Sequence, residues 1–297
     1  MNVEMQSAEI KASQTHAFVF NKPVKEYMIG FSSFTLQYNR PDHHVKRISV
    51  DLSDNHLNGT EIVVDPHLLL RDDNDRHIES LNSTIFVTVI AVVGEENPYF
   101  RVIPEVNGHS TIELPVKPVF IKSTLITSDV QYPEEDHHVW KYWSQIVPVA
   151  DGNTYTFVGE AKLQDNGSNS GSGKVKGSVL IYTGGPQDLM CADFDSRKIG
   201  DSGYICLGNA PESFDQKDYD VACFVNRYEV SFESPDKDHH VLKVEIGASL
   251  GKKKLVIEND KVYAKVYLKS FLVDNGEHQF DIPHNSVSGF VIAFKNQ

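Results

Sequence analysis

Aspartate and histidine recur together in this chain in a way that invites a chemical reading. The tetrapeptide Asp-His-His-Val begins at Asp42, Asp136 and Asp238, so its copies are spaced 94 and 102 residues apart. A carboxylate beside an imidazole can fix a tautomer, accept a proton or support a metal ligand. Adjacent residues on an extended strand point to opposite faces, so one copy cannot give both rings to one ion. Three similar units packed about a pseudo-threefold axis would bring one histidine from each together, and three imidazoles suit Zn2+ or Ni2+. Without that symmetry the histidines read as structural, and the sequence assigns no metal and no cofactor.

Strand alternation divides each pair. Counting from the apolar residues downstream places His44, His138 and His240 on the inward face, closing the end of a core. It places His43, His137 and His239 outward, where they are ligand-binding candidates. Trp143 falls on the face opposite to Trp140 and Tyr142 and joins them as a contact candidate. Aromatic faces are natural platforms for sugars. The Asp-rich turns at 72–75 and 274–277 offer oxygen ligands for Ca2+, but lack the spacing of a calcium loop. They read as turn chemistry.

The chain lacks the marks of common catalytic classes: no Gly-x-Ser-x-Gly elbow, no phosphate-cradling glycine loop and no His-Glu-x-x-His helix. No catalytic residue is assigned, and the expectation is a protein that is not an enzyme. Cys191, Cys206 and Cys223 are too few for a disulfide framework and read as ordinary thiols. Acidic residues outnumber basic ones by 41 to 28, a formal charge of −13. That field repels phosphate backbones and anionic lipid, which argues against nucleic acid and membrane surfaces as partners. No apolar run is long enough to span a bilayer. The first residues lack a signal peptide, so cytoplasmic synthesis is expected, with release compatible with an extracellular role.

The elements that must position these residues repeat with the motif. Before each copy lies an alternating segment ending in Tyr38, Tyr132 or Phe232, followed shortly by a proline. After each come apolar segments, a turn at Asp72, Asp165 or Asp274, and a last apolar strand at 83–93, 176–183 or 287–294. Motif Asp and turn Asp stand 30, 29 and 36 residues apart, so the third copy carries an insertion, placed within 250–268. Short segments rich in Val, Ile, Thr, Tyr and Phe between Gly, Asn, Asp and Pro turns predict strands. A sheet with one wet apolar face is costly, so sheets should pack face to face.

The expected fold is therefore all-β, with three tandem diverged β-sandwich repeats able to pack pseudo-threefold. The expected ranges are 1–118, 119–200 and 201–297, with residues 94–118 adding a hairpin to the first. Residues 184–220 have no counterpart and stand out as a functional candidate. In overall plan this resembles small trimeric sandwich lectins such as the H-type group, in architecture and not in motifs. The reading that follows is a non-enzymatic multivalent binding protein, lectin-like or receptor-binding, of the toxin-component or adhesin type. Its partner would be a glycan or cell-surface receptor. The alternative is a structural protein that self-associates, such as a phage or particle surface component or an inclusion-forming protein.

Overall fold

The structure, a computed structural model, describes residues 2–39, 41–74, 76, 78, 81–167, 169–185, 189–196, 200–232, 239–275 and 285–295. Asp238, Pro235 and the turn residues Asp75, Ser168 and 276–278 lie outside the described residues, as do parts of 184–220.

The chain is all-β, with 71% of it in strands arranged as several antiparallel sheets. The first strands are β1 Val3–Lys11, β2 His16–Val19, β3 Val24–Gln37, β4 Arg47–Asp51, β5 Asn55–Asn58, β6 Glu61–Val64, β7 His67–Arg71 and β8 Thr84–Val93. The middle of the chain gives β9 Phe100–Asn107, β10 Thr111–Glu113, β11 Phe120–Gln131, β12 Lys141–Asp151, β13 Thr154–Gln164 and β14 Ser170–Tyr182. The rest gives β15 Leu189–Ser196, β16 Gly200–Asn209, β17 Tyr219–Ser231, β18 Lys243–Glu258, β19 Lys261–Val273 and β20 Ser286–Lys295. Among the described residues no helix is long and apolar enough to cross a membrane.

One pairing scheme occurs three times. The strand before each Asp-His-His-Val segment pairs with the last strand of its own region: β3 with β8, β11 with β14, β17 with β20. The two strands after the motif form hairpins: β4 with β7, β12 with β13, β18 with β19. In the second region β13 also pairs with β14 over Lys162–Gln164, but the two strands that flank each motif do not pair with each other. Instead β11 takes β4, β17 takes β12, and β3 takes β18, which closes a ring from the start of the chain to its end. Strand pairing thus crosses the boundaries at 118 and 200. Two of the three seams carry an ion pair at matching positions, Arg47 with Asp129 at 2.7 Å and Lys141 with Glu229 at 2.8 Å.

The first strand of each scheme carries a bulge six residues before its buried aromatic. Register shifts across Ser32 in β3, across Ile126 in β11 and across Asn226 in β17, ahead of Tyr38, Tyr132 and Phe232. A bulge adds one unpaired residue and sharpens the twist, so each long strand can serve two neighbours. Positions two residues past these bulges meet in the core. Tyr228 Oη lies within hydrogen-bond distance of Ser128 Oγ, at 2.9 Å, and of Tyr142 Oη, and its ring lies 5.7 Å from that of Phe34. All four side chains are buried, so the hydroxyls satisfy one another where water cannot.

The connectors differ from expectation in their partners. Residues 94–118 do supply strands, but β9 pairs with β14 and β10 with β13, joining residues 119–200 rather than the first region. In 184–220, β15 extends the β20 edge and β16 extends the β19 edge, so this segment bridges two sheets. Within 250–268, where the sequence placed extra residues, the β18–β19 register shifts between Leu250 and Leu255. Extra residues are absorbed there as an irregularity because the flanking apolar positions must stay in phase.

Two residues before the first bulge, Gly30 faces the side chain of Thr124, whose Oγ1 donates to Val225 O at 3.0 Å. A Cβ on Gly30 would stand 2.4 Å from Thr124 Cγ2. Gly30→Ala is expected to destabilise the protein by about 1–3 kcal/mol in urea unfolding, with part recovered when Thr124→Ala is added.

Candidate functional site

The three Asp-His-His-Val segments meet. Each forms isolated bridges with the other two: His43 with Val241, Val45 with His137, and Val139 with His239. Backbone hydrogen bonds close the same cycle, such as Val45 N to His137 O at 2.9 Å and Val241 N to His43 O at 2.8 Å. The regular strands begin only afterwards, at Arg47, Lys141 and Lys243. Alternation holds inside the strands, where Ile48, Val50, Tyr142, Ile146, Val244 and Ile246 are all buried. It fails across the motif because a bridge is not a ladder and the chain turns between them. Val45, Val139 and Val241 are fully buried, although strand counting puts them outward.

The histidines are consequently exchanged in role. His43, expected outward, is 7% exposed, and His137 and His239 are half-buried. Each packs on the aromatic of its own region, with ring centroids 4.9 Å from Tyr38, 4.7 Å from Tyr132 and 4.8 Å from Phe232. Each also lies beside its turn aspartate, His43 and His137 at 3.6 Å from Asp72 and Asp165, His239 at 3.3 Å from Asp274. Asp72 and Asp165 are turn caps. Asp72 Oδ1 accepts from Asn74 N and Arg76 N, both at 2.9 Å, and Asp165 Oδ1 accepts from Gly167 N and Asn169 N at 2.9 and 3.1 Å. Arg76 Nη1 donates to His43 Nδ1 at 2.8 Å, which leaves the proton on Nε2. Burial, and next the Arg76 guanidinium, hold this imidazole below its usual range, although Asp72 pulls the other way.

His44, His138 and His240 form the junction. Their ring centroids stand 4.5, 4.5 and 4.7 Å apart. One ring nitrogen from each can be chosen so that all three lie within 4.8 Å of one another. The rings are partly open to solvent, with 41% of the His44 side chain and 43% of the His240 side chain exposed. Carboxylates from a neighbouring motif stand behind them: Asp136 Oδ1 is 3.3 Å from His44 Nδ1, and Asp42 Oδ1 is 3.7 Å from His240 Nδ1. The second oxygen of each accepts a backbone N–H in the turn of the region it grips, from Asp73 at 3.1 Å and from Asn275 at 3.0 Å. Asp238, the third member of the set, lies outside the described residues. The motif aspartate therefore acts between regions.

Trp143 sits on β12, half-buried, with Lys141 Nζ 5.1 Å and Lys162 Nζ 5.3 Å from its ring. Both lysines are held by glutamates, Glu229 and Glu160. Two cations thus lie against its ring, and Trp143 is not among the residues that form the histidine junction. Sequence reading also missed the cavities, two of which lie beside bulges. One, of about 420 Å3, lies beside the bulge at Asn226 and is lined by Lys122, Val147, Asp193, Arg227 and Ser288 among others. The other, of about 260 Å3, lies beside the bulge at Ser32 and is lined by Ala222, Ser249, Ser33 and Phe86. The signal that could have found them is the constant six-residue offset from the aromatic, masked by unlike residues at the bulge itself.

Comparison with protein-family models, with curated proteins and with solved structures gives no match.

Asp165 is 6% exposed and caps its turn with several hydrogen bonds. Asp165→Ala should cost about 1–3 kcal/mol by urea denaturation. Burial pushes the Cys191 and Cys223 thiols up to about 12, whereas Cys206 is exposed. A disulfide reagent at neutral pH should therefore modify Cys206 rapidly in the native protein, the half-buried Cys191 far more slowly, and Cys223 only on unfolding.

Proposed function

We propose that the chain is three diverged copies of one β unit arranged about a pseudo-threefold axis, and that it serves as a non-enzymatic, multivalent binding protein for polyhydroxylated ligands of the glycan class. The observation that carries this reading is the pair of cavities at corresponding places. Counted from its bulge and its motif histidine, the position of Asn226 matches Ser32, Ser288 matches Phe86, Val147 matches Ser249, and Lys122 matches Ala222. A recess recurring at the same place on two faces of one rigid body is what multivalency requires.

The linings favour hydroxyl-bearing ligands. In the larger cavity Asn226 Oδ1 is buried and has no hydrogen-bond partner among the described residues, an acceptor left for an incoming donor. Lys122 and Asp193 pair at 2.6 Å on one wall and Ser288 donates to Asp195 at 2.6 Å, with Arg227 exposed beside them. Paired donors and acceptors of both signs suit vicinal hydroxyls, and Tyr155 adds an apolar face. The smaller cavity is lined by Ser7, Ser32, Ser33 and Thr88, with Ser7 and Thr88 hydroxyls 2.8 Å apart.

The test is a screen of the intact protein against immobilised glycans, with light scattering at rising concentration. Saturable binding by a monomer is expected, weakened at least ~10-fold (about 1.4 kcal/mol) by Arg227→Ala. Concentration-driven polymerisation with no glycan bound would sink this reading and favour an assembly role.

A further inference from the structure

We propose that His44, His138 and His240 bind one divalent transition-metal ion of the imidazole-preferring kind, through Nε2 of each ring. This rests on the junction alone and is independent of the glycan reading.

The geometry meets what such an ion needs. Three neutral imidazoles are a sufficient protein ligand set when a solvent molecule completes the tetrahedron. A Zn–N bond near 2.0–2.1 Å places ligand nitrogens about 3.3 Å apart, so nitrogens already within 4.8 Å reach that spacing by small side-chain rotations. The carboxylates of Asp136 and Asp42 face Nδ1 of His44 and His240. An Nδ1–H held by a carboxylate leaves the Nε2 lone pair free, which is the arrangement found behind metal-bound histidines. Each carboxylate is fixed in turn by a backbone N–H from Asp73 or Asn275. The rings are open enough to solvent for an ion to enter and for water to complete its shell.

The ligand positions also bear on what the ion would do. Residues 44, 138 and 240 come from three segments that pair with one another through single bridges and not through continuous ladders. An ion there would tie the three together at the point where their pairing is thinnest. Imidazole alone does not choose strongly among Zn2+, Ni2+ and Co2+, so Zn2+ serves as the probe for occupancy and Co2+ as the probe for geometry. A second group, Asp54, Asp65 and His67, lies at an exposed turn. It is the internal control, since exposed carboxylates commonly gather without an ion.

The intact protein would be equilibrated with ZnCl2, freed of excess and analysed for metal, and separately titrated with CoCl2 while its visible spectrum is followed. The expected result is roughly one Zn2+ per chain, the intense visible bands of four-coordinate Co2+, and a rise in melting temperature reversed by a chelator. His44→Ala, His138→Ala and His240→Ala should each abolish stoichiometric uptake, while the double variant Asp54→Ala/His67→Ala retains it. Should the alanine variants fail to fold, Asp136→Asn decides, because it keeps every imidazole and should weaken Zn2+ binding about 10–100-fold. The proposal is overturned if folded wild-type protein takes up no stoichiometric Zn2+. It is equally overturned if uptake survives loss of the histidines or disappears with Asp54 and His67.

Discussion

The constraint on which this structure depends is the exchange of strands between regions. The two strands that flank each motif take partners from different regions, so the antiparallel ladders of β4 with β11, β12 with β17 and β18 with β3 are obligatory across long stretches of chain. Backbone N–H and C=O groups buried in those ladders have no alternative acceptors or donors inside the core. A region excised from the chain would therefore expose the strand edges that its neighbours now cover. Closure of the last seam, between β3 near the start and β18 near the end, needs the whole chain and carries the largest entropy of loop closure.

The core follows from that exchange. Long first strands must serve a partner on each side while twisting past one another, and a bulge at one fixed offset in each allows it. Where the three strands approach, side chains at matching positions are unlike in type yet complementary in volume and polarity. Gly30 leaves space for Thr124, and Ser128 offers its hydroxyl to Tyr228 beside the bare ring of Phe34. Such unlike fillings are what a single chain permits. In a true trimer one residue would have to fit against itself at all three places, whereas here each place is filled separately.

The same geometry explains why the histidine junction sits at one end of this core. The chain leaves each first strand at its buried aromatic, crosses to the neighbouring region, and begins its next strand there. Asp-His-His-Val is that crossing. Its first histidine is packed on the aromatic and tied to a turn aspartate, its valine is buried, and its second histidine is left facing the other two. The aspartate stands behind the neighbour's imidazole because the crossings run alongside each other. A recurrent crossing thus brings together chemistry that the individual segments do not contain.

Much of this was legible in the residues. Short β-branched and aromatic segments between turn formers dictate strands, and strands of this kind dictate paired sheets, because local steric preference and apolar burial act at short range. The inward sets of β4, β12 and β18 follow from the pleat, and the capping role of Asp72 and Asp165 from turn chemistry. What the sequence could not decide was which strand pairs with which. Ladder partners are chosen by the global closure of the sheets, not by neighbours in the chain, so β9 and β10 join the second region and each half of a region joins another. Nor could alternation be carried through the motif, since parity is a property of continuous strand, and the crossing interrupts it. The convergence of His44, His138 and His240, and the recesses beside Ser32 and Asn226, exist only once residues far apart in sequence are brought into one place by the fold.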